Sequence, residues 1–162
     1  MKLIRELFKV YIIFAILFFI GRAIFYFLHF DRLSDITLSE SLLTFVYGLR
    51  MDTIVISIIL VFPAIFLSLS PKIFSKYISK FLDIFILSFL LIAIYIECAS
   101  IPFFAQYDLK PNYLFIEYLE YPQEVIVLLL KDYKLDLFIV FILLIATILI
   151  YIKSEFLNFE RV

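Results

Sequence analysis

Four ionisable side chains stand inside otherwise apolar stretches of this chain: Arg22, Arg50, Asp52 and Glu97. An ionised group at the centre of a membrane helix costs about 2.5–3.5 kcal/mol on insertion scales, so each one marks either a packing device or a function. Arg50 and Asp52 are two residues apart in "YGLRMD", and such neighbours face different sides of a helix. Their partners are therefore sought on other helices: Asp52 with Arg22, and Arg50 with Glu97. At 1.5 Å per residue, Arg22 lies roughly 20 Å beyond Lys9, and Glu97 roughly 24 Å beyond Phe81. The four are expected at one depth, in the outer third of a bilayer, where charge is cheaper and arginine reaches the headgroups. Two readings stay open, an ion-pair lattice that fixes helix packing and a polar niche that touches a phospholipid headgroup.

The elements that must carry these groups follow from composition. Of 162 residues, 65% are hydrophobic and 20% aromatic, against about 45–50% apolar in a soluble domain. The apolar residues come in continuous runs, whereas a transmembrane barrel alternates them with polar ones. The expected class is all-α integral membrane, a single domain over residues 1–162 with the phospholipid bilayer as its partner. Nothing in the sequence points to nucleic acid. Runs near the ~20 residues that cross the hydrocarbon core cover about 10–30, 45–69, 81–100 and 135–152. The first is too long for a signal-peptide core and no small-residue cleavage site follows it.

Orientation is read from lysine and arginine in the short loops. Lys2, Arg5 and Lys9, then Lys72, Lys76 and Lys80, then Lys153 and Arg161 collect on one side. That predicts a multi-pass membrane protein with both termini cytoplasmic. "TLSE", Thr37 to Glu40, has capping-box spacing, so the second helix is expected to start outside the membrane. Pro63 should kink that helix, and Pro102 should end the third. Cys98 and His29 are each the sole residue of their type, so neither an intrachain disulfide nor a thiolate metal cluster can form.

Residues 101–134 join the third and fourth spans and are rich in Tyr and Phe. Pro122 suits a first helical position, and Glu124 and Lys131 fall at the favourable ends of the helix dipole. Aromatic side chains favour the headgroup region, where one end of the ring stays apolar and the other wet. Asn112, Tyr113, Glu117, Tyr118, Tyr121, Pro122 and Glu124 are therefore assigned to an interfacial helical segment on the outer face. A mere connector would need far fewer than these residues.

"YGLRMD", Glu97–Cys98, and "KPNYLFIEYLEYPQEVIVLLLKDYK" resemble the amino-terminal membrane region of lipoteichoic acid synthase-like proteins, in the sulfatase branch of the alkaline phosphatase superfamily. The resemblance covers roughly residues 45–135 and is most specific from Asn112 to Val125. It implies about five membrane helices ahead of an extracytoplasmic, divalent-metal-dependent domain. That domain would move a phosphoglycerol or phosphoethanolamine headgroup through a threonine nucleophile. The present threonines, Thr37, Thr44, Thr53 and Thr147, have no Asp/His/Glu metal set around them, so no cofactor and no catalytic residue is assigned to this chain. The fourth span is followed by few residues, so the catalytic domain is expected to be missing. The chain is expected to anchor a headgroup transferase without catalysing transfer by itself. The alternative is a standalone four-helix inner-membrane protein that binds lipid or a membrane partner.

Overall fold

The computed structural model describes residues 2–33, 37–69, 75–111, 117, 120 and 122–154. All regular structure among them is helical: α1 (Lys2–Leu28), a 3₁₀ turn (Phe30–Leu33), α2 (Leu38–Leu69), α3 (Ser75–Tyr107), α4 (Pro122–Asp132) and α5 (Lys134–Ser154). Four of these helices, α1, α2, α3 and α5, are long and apolar enough to cross a membrane. The molecule is a multi-pass helical membrane protein. Two compact units divide the described residues, one up to Leu90 and the other from Leu91 to Ser154.

The first unit is built on the antiparallel pair α1–α2. The reciprocal cap anticipated at "TLSE" starts α2: the Thr37 N–H donates to the Glu40 carboxylate at 2.9 Å, and the Glu40 N–H reaches Thr37 Oγ1 at 3.4 Å. Each bond satisfies a donor that a helix start otherwise leaves open. From there α2 runs 32 residues, through Pro63. Three of its hydroxyls bond within the helix, Thr44 to the Glu40 carbonyl, Thr53 to that of Leu49 and Ser57 to that of Thr53. Such back-bonding lets a polar side chain sit in lipid without an outside partner.

The core of this unit takes Val10 and Phe14 from α1, Ile56 and Ile59 from α2, and Leu82 and Ile86 from α3. Phe62 and Phe66 of α2 meet Phe81 and Phe85 of α3. Glu6 shares the inward face of α1 with Val10 and Phe14, at spacings of four, and is only 2% exposed. Three contacts set the register of α1 against α2. Tyr26 Oη lies 3.0 Å from Ser41 Oγ, the rings of Phe19 and Phe45 are 5.6 Å apart, and Tyr11 Oη lies 2.9 Å from Thr53 Oγ1.

In the second unit α3 does not end at Pro102. It continues to Tyr107, so residues 101–107 belong to the third helix and not to the interfacial segment. A proline lacks only its own N–H, here the one that would reach the Cys98 carbonyl, and a long apolar helix continues through such a loss; beside it Ser100 Oγ donates to the Glu97 carbonyl at 2.7 Å. The helix closes instead at Asp108, whose φ of 54° is left-handed and whose N–H donates to the Phe104 carbonyl at 2.9 Å. That is a helix stop of the αL type. α4 begins at Pro122, where the sequence places a first helical residue, and it packs against α5.

Candidate functional site

Of the four charges set in apolar runs, the structure brings two together. Arg22 Nη2 donates to both carboxylate oxygens of Asp52, each at 2.8 Å. Their side chains are 16% and 12% exposed, so the pair lies largely within protein. Charge-assisted bonds of this length are among the stronger ones a protein makes. In a low-dielectric setting their loss would leave a buried charge uncompensated.

The geometry of the pair depends on a residue that the charge-based reading passed over. Gly48 stands one turn before Asp52 on the same face of α2, the i, i+4 relation. A Cβ placed on Gly48 would collide with Cζ, Nε and Nη1 of Arg22. The guanidinium therefore lies in the space that a side chain at position 48 would fill, with Asp52 just beyond it. Arg22 Nη1 is buried there and has no hydrogen-bond partner among the described residues. The sequence does carry the signal, as a glycine four residues before a lone acid in "YGLRMD".

This arrangement turns Arg22 inward. Its guanidinium is engaged on Asp52, the partner expected for it, beside Gly48. Both side chains lean toward the start of their own helix, the direction in which every Cα–Cβ bond tilts. On an antiparallel pair those directions converge.

Arg50 is exposed on the face of α2 turned away from Asp52, as two-residue spacing requires. Glu97 is half-buried in the second unit, and its expected pairing with Arg50, which belongs to the first, remains an expectation. His29 Nδ1 lies 3.0 Å from the Phe25 carbonyl, a contact within its own helix. Cys98 is a half-buried free thiol.

The interfacial residues are described only in part. Asn112, Tyr113, Tyr118 and Tyr121 lie outside the described residues. Glu117 is helical and exposed, and Pro122 and Glu124 are in the first turn of α4. Gln123, Ile126, Val127, Leu130, Lys131 and Asp132 are exposed along that helix.

Glu6 is the second residue the charge-based reading missed. Its side chain is 3% exposed, with Lys9 Nζ at 3.0 Å from one oxygen and 3.1 Å from the other, and Arg5 Nε at 3.4 Å. Its spacing of four from Val10 was the available signal. Among the described residues no group of three or more His, Cys, Asp or Glu side chains could hold a metal ion. No protein-family model and no solved structure matches the chain.

Proposed function

We propose that this chain is the membrane region of a lipoteichoic acid synthase-like headgroup transferase of the cytoplasmic membrane, with both termini cytoplasmic. In this reading it anchors an extracytoplasmic domain and is not catalytic by itself. The phosphoglycerol or phosphoethanolamine transfer, and the divalent metal that supports it, belong to that domain. What supports the reading is that "YGLRMD", one of the stretches by which the chain resembles that family, has a physical purpose here. Gly48 provides the space and Asp52 the counter-charge for one arginine of the neighbouring helix. An anchor needs such a rigid helix pair more than it needs a cavity.

The test is a transfer assay in proteoliposomes that contain phospholipid with a labelled headgroup. Transfer is expected when the chain is joined to, or supplied with, the extracytoplasmic domain, and none is expected from the chain alone. Transfer by the 162 residues alone would contradict the reading. So would a native locus that encodes no such domain, either in the same gene or beside it.

A further inference from the structure

Arg50 is the only cation of α2, and no side chain among the described residues pairs with it. It stands in an exposed stripe, with Leu43, Val46 and Tyr47 before it and Ile54 and Val61 after it. Their spacing puts all of them on one side of the helix. The positions three and four residues from Arg50 hold Val46, Tyr47, Thr53 and Ile54, so no acid of α2 offsets its charge. Gly48 and Asp52 receive Arg22 on the other side of the helix.

The length of α2 limits where this guanidinium can be. Arg50 stands about 18 Å from the start of the helix at Leu38 and about 28 Å from its end at Leu69, at 1.5 Å per residue. Non-helical backbone does not face lipid within the hydrocarbon region. A spanning helix therefore has both ends at or beyond the edges of a core about 30 Å thick. Arg50 is then inside that core or at its edge, whatever the depth or tilt of α2. An arginine keeps its charge in such a place. Facing lipid, it snorkels or draws phosphate and water to itself. The tilt of the Cα–Cβ bond inclines it toward the helix start, which is the nearer end.

Phosphate suits this stripe better than another protein does. A second copy docked on it through a twofold axis would bring another arginine and no acid. Phosphate oxygens, by contrast, accept two parallel N–H bonds from a guanidinium. A net-anionic lipid neutralises Arg50, whereas a zwitterionic one carries a cation of its own that offsets part of the attraction.

We propose that Arg50 binds the phosphate of an anionic phospholipid held against the outward stripe of α2. This lipid is a resident of the helix face, and its site does not depend on the chain's serving a transferase.

The experiment places a bimane label at Ile54→Cys, one turn from Arg50, in the full chain with Cys98→Ser in phosphatidylcholine vesicles. Acyl-brominated phosphatidic acid and acyl-brominated phosphatidylcholine are compared as quenchers at equal mole fraction. The same label at Ile142→Cys on α5 is the control, since both isoleucines are 48% exposed and no cation lies within a turn of Ile142. Phosphatidic acid is expected in about fivefold excess beside Ile54, the factor that one basic residue is worth at an anionic surface, and in no such excess beside Ile142. Arg50→Gln, a change at an exposed position, should remove the excess. Equal quenching by the two lipids at Ile54, an excess that survives Arg50→Gln, or the same excess at Ile142 would overturn the proposal. Weak quenching by both lipids at Ile54 would mean that protein covers the stripe, and would overturn it as well. The comparison of the two lipids needs no variant at position 50, so it decides the proposal even if Arg50→Gln fails to fold.

Discussion

Gly48 is the residue on which the α1–α2 contact turns, and the smallest possible change at it is informative. Gly48→Ala adds one carbon where the Arg22 guanidinium lies. In an ordinary helix that substitution stabilises by roughly 0.5–1 kcal/mol. Here it is expected to destabilise by about 1–3 kcal/mol, because the displaced arginine leaves a buried acceptor unpaired. Thermal unfolding in detergent measures it, and a stabilising outcome would show that Arg22 repositions at no cost. Asp52 and Arg22 were legible as partners from charge alone, since each stood in an apolar run and needed an opposite sign. The role of Gly48 was not, because the absence of a side chain acquires meaning only once the neighbouring helix is in place. Glu6 was hidden differently: among Lys2, Arg5 and Lys9 it reads as part of a solvated charged start, and only the packing of α1 shows it buried.

At the scale of elements, helix starts were more legible than helix ends. Thr37 and Glu40 carry their own stop-and-start chemistry, and the bonds between them form as their spacing requires. Thr37→Ala is expected to fray the first turn of α2, seen as faster amide exchange at Ser39 to Ser41 with the rest of the helix unchanged. Unaltered exchange there would mean that packing and not the cap holds the turn. Pro102 misled because a proline signals a missing donor, while the length of the surrounding apolar run decides whether the helix survives it. The true stop, Asp108 with φ 54°, is invisible to apolar patterning. Since the left-handed region costs an ordinary L-residue roughly 1–2 kcal/mol and glycine nothing, Asp108→Gly should be tolerated where Asp108→Val should shorten α3. Helical content by circular dichroism, compared between the two variants, checks the order.

For the whole molecule, composition alone established a helical multi-pass membrane protein, and four long apolar helices carry it. The register of α1 against α2 was harder to read, because it depends on how two helices slide along each other and not on either run alone. The proposed orientation makes its own prediction. Glu117→Cys, exposed and in the segment assigned to the outer face, should be labelled by an impermeant maleimide on intact spheroplasts, while Tyr77→Cys should need inverted vesicles. The reverse pattern would invert the topology. The account as a whole depends on Arg22 and Asp52 acting as one unit between α1 and α2. The most direct measurement is a double-mutant cycle on the unfolding free energy in bicelles, with Arg22→Leu, Asp52→Asn and the double variant. A coupling of about 0.5–3 kcal/mol is expected, and the double variant should be less damaged than the two single losses together imply. Strict additivity would contradict the account.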